Sequence, residues 1–140
     1  MEKYRHLPHT ADGKFQAFGS TLEEAFTNAA LAVASLMWDW ERIEKKTVRP
    51  VRAEGKDLEQ LLYRFLEEIL YLLDTENFLL AAVEGLKIET GEGVHRLEAV
   101  FRGDRFTGQH EVFGDVKAVT YHEMEIKKND HFTIQVVVDM

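Results

Sequence analysis

Cysteine is absent from the 140 residues. Disulfide frameworks, thiolate nucleophiles and cysteine-based zinc sites are thereby excluded. Proline occurs only twice, at Pro8 and Pro50, so each marks a place where regular pairing stops or a strand lies at an edge. No apolar run approaches the roughly 20 residues that a membrane-spanning helix needs, and the N-terminus lacks a leader pattern. The expectation is a soluble, cytoplasmic chain with no membrane partner. Positive charge is scarce: 17 Lys and Arg stand against 25 Asp and Glu, a net −8. Because nucleic-acid affinity rests mainly on neutralising phosphates, strong direct RNA or DNA binding is disfavoured. Asn and Gln are also few, three and four, which with abundant Glu, Lys and Arg suits a thermophile. Several catalytic templates are missing too. The sequence contains no Gly-x-Ser-x-Gly, no phosphate-binding Gly-x-x-x-x-Gly-Lys, no Gly-x-Gly-x-x-Gly and no His-Glu-x-x-His, so hydrolase, nucleotidase and zincin readings have no foothold.

Hydrophobic residues make up 45% and charged ones 30%, a globular balance. One domain over residues 1–140 is expected, burying roughly two-thirds of its unfolded surface. Tyr4 to Leu7 reads as a short strand ending at Pro8, followed by a loop to Gly13 and an extended stretch from Phe15 to Gly19. Ser20 and Glu23 form a capping-box pattern. Behind it, Leu22, Ala25, Phe26, Ala29, Val33, Leu36 and Met37 recur at helical spacing. Trp38-Asp39-Trp40 is either an aromatic platform or one core-sealing ring beside one half-buried ring, and the large apolar area of indole favours the second. Val48 to Glu54, interrupted by Pro50, reads as an edge strand. Asp57 and Gln60 cap a second helix whose stripe runs from Leu58 to Leu73, with Tyr63 and Tyr71 at its margin. From Phe78 the period becomes alternating, with a hairpin at Gly91-Glu92-Gly93, a turn at Gly103-Asp104, a strand from Val116 through Ile126, and a turn at Asn129-Asp130. A last strand then runs from Phe132 to Val138. The fold class is α+β: a mostly antiparallel sheet with two amphipathic helices packed on one face.

The candidate chemistry lies at the two ends. In the last strand Thr133, Gln135, Val137 and Asp139 face away from the core side. If that strand brings Asp139 beside Asp12, the main-chain carboxylate of Met140 becomes a third anionic group. Two carboxylates about 4 Å apart repel by roughly 4 kcal/mol at an effective dielectric near 20, so such a cluster calls for a cation or a proton. All-oxygen ligation selects Ca²⁺, Mg²⁺ or Mn²⁺. The plainer alternative is that two acids among 25 are simply solvated. His9 and His122 stand in stretches with other unusual polar residues, whereas His95, His110 and His131 fall in loops or strand edges. Lys117 is the cation nearest in sequence to the candidate strand, or else an ordinary solvent-facing lysine.

Taken together, His9-Thr10-Ala11-Asp12, the helix start Ser20 to Phe26, Leu61 to Leu73, Val116 to His122 and the terminal Val138-Asp139-Met140 strongly resemble the archease family over the whole length. Relatives commonly end on an aliphatic residue where Met140 stands. The resemblance implies the archease fold and an accessory role in tRNA splicing rather than an enzyme. The partner would be the RtcB-type tRNA-splicing ligase, which the protein would activate by promoting guanylylation and multiple turnover and by broadening NTP use. It also implies Asp12, Asp139 and Met140 as ligands of a divalent metal, with His9, Lys117 and His122 as helpers or partner contacts. A chaperone-like factor or a modulator of tRNA methyltransferases, working through apolar surface near Trp38 and Trp40, is the alternative.

Overall fold

The computed structural model describes residues 1–8 and 12–140. Eight strands and two helices follow the chain as β1 (Tyr4–Leu7), β2 (Gly13–Gly19), α1 (Leu22–Ser35), β3 (Thr47–Gly55), α2 (Leu58–Glu76), β4 (Phe78–Gly91), β5 (Val94–Arg105), β6 (Ala118–Val119), β7 (Glu125–Lys128) and β8 (Phe132–Asp139). A short 3-10 turn occupies Trp40–Arg42. The α+β class, the antiparallel pairing and the two helices agree with expectation. What periodicity did not reveal is that the strands divide into two sheets, one ordered β1-β2-β8-β6 with β7 also on β8, the other β3-β5-β4. Alternation tells which residues share a face but not which strands share a sheet.

The two helices do different work. In α2 the apolar residues Leu61, Leu62, Phe65, Leu66, Ile69, Leu70 and Leu72 are buried while Glu59, Arg64, Tyr71 and Asp74 stay exposed, a one-sided stripe that packs mainly on β3, β4 and β5 and also reaches β6 and β7. By contrast α1 buries nine of its fourteen residues, among them Ala25, Ala29, Ala30, Ala32 and Ala34. Small side chains on several faces let it touch β2 and β8 of one sheet and β4 of the other. Among the described residues no helix is long and apolar enough to cross a membrane.

The N-cap of α1 is Thr21, one residue later than expected. Its hydroxyl accepts from the Glu24 amide at 3.1 Å, and the Glu24 carboxylate accepts from the Ser20 amide at 2.9 Å. Ser-Thr and Glu-Glu doublets make two registers of the capping box equally legible, and the geometry uses the later one. The Asp57 cap stands as read, accepting from Gln60 N–H at 2.7 Å. Gly103-Asp104 is not a turn but lies within β5. The β4–β5 register slips between Leu80 and Ala82, and a Cβ at Gly103 would collide with the Leu79 carbonyl oxygen. Glycine here serves the close backbone approach of a bulge. The expected strand from Val116 through Ile126 is broken as well. Only Ala118–Val119 and Glu125–Lys128 pair with β8, and Glu123 between them takes a left-handed φ of 53°. Trp38 is fully buried and its indole N–H donates to the Leu80 carbonyl at 2.8 Å. Trp40 is half-buried and donates to the Tyr4 hydroxyl at 2.9 Å. The pair is thus one sealing ring and one marginal ring. Pro50 does sit on the edge strand β3.

Candidate functional site

Strand β2 runs antiparallel to β8, and their last registered pair is Gly13 with Val138. The next residues outward are Asp12 on one strand and Asp139 on the other. Both therefore stand at the same sheet end, and Asp139, by alternation along β8, lies on the face opposite that of Val136 and Val138. Asp12 is half-buried and Asp139 exposed. Met140 follows directly, and its side chain is packed inward: a Cβ on Gly13 would lie 3.0 Å from the Met140 Sδ and 3.1 Å from Leu36 Cδ1. That anchorage keeps the chain terminus at this end of the sheet.

The segment before and after β6 forms a strap along the same edge. The Lys117 amide donates to the Asp139 carbonyl at 2.8 Å, Ala118 pairs with Asp139, and Thr120 donates through both its amide and its hydroxyl to the Val137 carbonyl, at 3.2 and 2.7 Å. Lys117 is thus beside Asp139 in the ladder, with an exposed side chain. His122 lies in the turn between β6 and β7. Its amide donates to Thr120 Oγ1 at 3.3 Å, and its Nε2 is 3.2 Å from a Glu123 carboxylate oxygen. His9 lies outside the described residues.

Period-two reading of β2 could have found one further group. Lys14 shares a face with Asp12, and its ammonium is 3.3 Å from Glu123 Oε1. Gln135, on the outward face of β8, donates to the Glu123 carbonyl at 3.0 Å and accepts from Gln16 at 3.2 Å. The outer face is therefore not bare: even Val137 is 2% exposed. No sequence signal marks Glu123, because a broken strand and a left-handed residue bring it there. The turn is also tied to α2, since Tyr121 stacks on Tyr63 with centroids 4.5 Å apart and planes 11° from parallel. Burial in this stack, followed by the charge of Glu67, raises the Tyr63 hydroxyl above its ordinary pKa.

Among the described residues no three His, Asp or Glu side chains cluster in a way that could hold a metal. Asp12 and Asp139 offer carboxylate oxygens at this end, and Met140 follows with a main-chain oxygen. Such a donor set is all oxygen and suits a hard cation.

The sequence profile described as the Archease protein family (MTH1598/TM1083) matches residues 4–140. A protein named "Protein archease" from Pyrobaculum neutrophilum is 43% identical, over 98% of this chain and 95% of its own. Another of that name from Pyrococcus abyssi is 42% identical, over 91% and 90% respectively. The solution structure of Methanobacterium thermoautotrophicum protein 1598 superposes with a TM-score of 0.86 at 34% identity, covering all of both chains. Profile, relatives and architecture agree from end to end, and the chain belongs to the archease family.

Proposed function

We propose that this chain is an accessory protein of tRNA splicing that activates an RtcB-type RNA ligase. Asp12, Asp139 and the main-chain carboxylate of Met140 would hold a divalent cation, Ca²⁺ or Mg²⁺/Mn²⁺, with Lys117 beside them. His122 and His9 would serve as helpers or partner contacts. The observation that supports the metal reading is the β2–β8 register, which makes Asp12 and Asp139 the next opposed residues beyond Gly13 and Val138. The bound cation would lower the charge repulsion that GTP must overcome when the ligase is guanylylated. The residues of this chain supply the rest: two side-chain carboxylates at the end of a rigid two-strand ladder, and a terminus fastened by the Met140 side chain. A surface of net charge −8 suits docking on a basic, RNA-handling partner.

The test is a time course of guanylylated ligase with wild-type chain and with Asp12→Ala. The variant is expected to lose the stimulation while keeping its fold; undiminished stimulation removes metal presentation. The exposed side chains Val112 and Phe113 favour a second reading, a chaperone-like module or a methyltransferase modulator. It predicts that suppression of client aggregation survives loss of both acids.

A further inference from the structure

At the C-terminal end of α1 a cleft of about 720 Å³ opens between Tyr4, Trp40, His110 and Phe113. A smaller one of about 360 Å³ adjoins it and shares Trp40, Glu41 and Ile43. The lining of the larger cleft combines aromatic rings with the carboxylates of Asp39, Glu41 and Glu111. Its one arginine, Arg42, lies 3.5 Å from Asp39. Glu41 and Glu111 enter no ion pair among the described residues. Aromatic faces beside unneutralised carboxylates attract a cation through both the ring quadrupole and the net charge.

Two more observations narrow the cation. His110 has its Nε2 3.4 Å from Asp104 Oδ2, while its Nδ1 is closed to solvent and has no hydrogen-bond partner among the described residues. The Asp104 contact fixes the ring as part of the cleft wall, so the groups left to meet a cation are the indole face and the carboxylates. A guanidinium offers five N–H groups and a plane that stacks on indole, where an ammonium offers only a point charge. The rim also extends beyond the cleft. Phe113 is 59% exposed, Val112 42% and Phe106 37%. Their backbone is nevertheless fastened: the Phe113 amide donates to the Met37 carbonyl at 2.9 Å, and Val112 bridges Trp38. Apolar side chains held out to solvent on an ordered backbone are pre-organised for a protein surface rather than for a small ion.

We propose that this cleft receives an arginine side chain projecting from the basic surface of the protein partner, with Phe113 and Val112 as its apolar rim. The proposal rests on the reading above in taking the RtcB-type ligase as that partner, and it does not depend on the metal. The arginine would stack on Trp40 and place its charge beside Glu41 and Glu111.

The test measures the affinity of purified ligase by calorimetry at several salt concentrations, for wild-type chain, Glu41→Gln/Glu111→Gln, Phe113→Ser and a distant control, Glu98→Gln. The double variant is expected to bind about tenfold more weakly and with a flatter salt dependence. Phe113→Ser should lose up to about 30-fold. The control should match wild type, and Ca²⁺ titration and thermal midpoint should be unchanged throughout. Wild-type affinity in the double variant and in Phe113→Ser overturns the proposal. So does tight binding of N-acetyl-arginine amide that fails to compete with the ligase, since the cleft would then be a small-molecule site. If the cleft variants dock normally while Asp12→Ala abolishes stimulation, this proposal falls and the metal reading stands. Loss of docking with undiminished Asp12→Ala stimulation is the reverse.

Discussion

The outer face of the β3-β5-β4 sheet and the far end of the β2-β8 ladder treat charge in opposite ways. On the first, arginines stand beside glutamates across strands: Arg96 with Glu54 at 3.1 Å, Arg102 with Glu84 at 2.6 Å and Arg52 with Glu98 at 3.6 Å. On the second, the Asp139 carboxylate is exposed and joins no ion pair among the described residues. Asp12 is the next residue across, and the nearby cation Lys117 extends into solvent. Paired charges on a solvated sheet keep an edge soluble and in register and contribute little energy. Like charges gathered at one end raise the cost of keeping both ionised, and a cation or a proton relieves it. Cross-strand pairing reads as scaffold, and a carboxylate held out at a ladder end, as that of Asp139 is, reads as a place for a ligand.

The severest way to break this comparison is to cut the link between its halves. Trp38 sends its indole N–H from the end of α1 to Leu80 on β4, so it belongs to both. Trp38→Ala should lower the unfolding free energy by about 3–5 kcal/mol, with both regions melting in one transition when followed by urea and near-UV circular dichroism. Two separated transitions would make the regions independent and the contrast accidental.

Next comes metal linkage. Ca²⁺ at a hundredfold excess over its dissociation constant should stabilise wild-type chain by about 2.7 kcal/mol, read as a rise in thermal midpoint. Asp139→Asn should lose that rise, while its stability without the ion stays within about 0.5 kcal/mol of wild type. An Asp139→Asn chain that still responds in full would move the ion elsewhere.

On the paired sheet, a double-mutant cycle on Arg102 and Glu84 should yield a coupling of about 0.2–1 kcal/mol that fades in salt. A coupling well above this would mean that the ladder is not mere surface. The smallest effect concerns pH. Burial raises the pKa of Glu68 on α2, so the folded state holds its proton more tightly than the unfolded chain does. This contribution to stability is fully present below the unfolded pKa, near 4.5, and is lost as pH rises through the higher folded value. Glu68→Gln should therefore stabilise slightly at neutral pH and flatten the stability profile just above pH 4.5, as thermal melts across pH 4–7 would report.

Much of the fold was open to reading because its signals are local. Leu61 through Leu70 repeat at helical spacing, Asp57 and Gln60 sit three apart, and Gly91-Glu92-Gly93 has only a turn to make. Errors arose where a local signal was degenerate or where a distant segment decided. Ser20 and Thr21 are equivalent as caps until the strand before them fixes the chain direction. Gly103 resembles a turn residue until Leu79 is seen pressing on it. The candidate acids were chosen by supposing that the two ends meet, and the β2–β8 register is a meeting of that kind. The association of Lys14, Glu123 and Gln135 has no sequence signal because it depends on a break in the strand after Val119. His110 reads in sequence as an exposed loop histidine, yet its Nδ1 is shut away from solvent.

By itself the order of residues determined the helices, their caps to within one position, the Gly91-Glu92-Gly93 hairpin and the facing of the last strand. These follow from side-chain spacing and from backbone preferences that act over a few residues. Tertiary structure alone decided that the strands form two sheets, that an alanine-rich helix touches both, and that residues 127 positions apart occupy one sheet end. Such choices depend on which apolar faces can cover each other at close packing. That competition is settled over the whole chain at once, and no single stretch of sequence records its outcome.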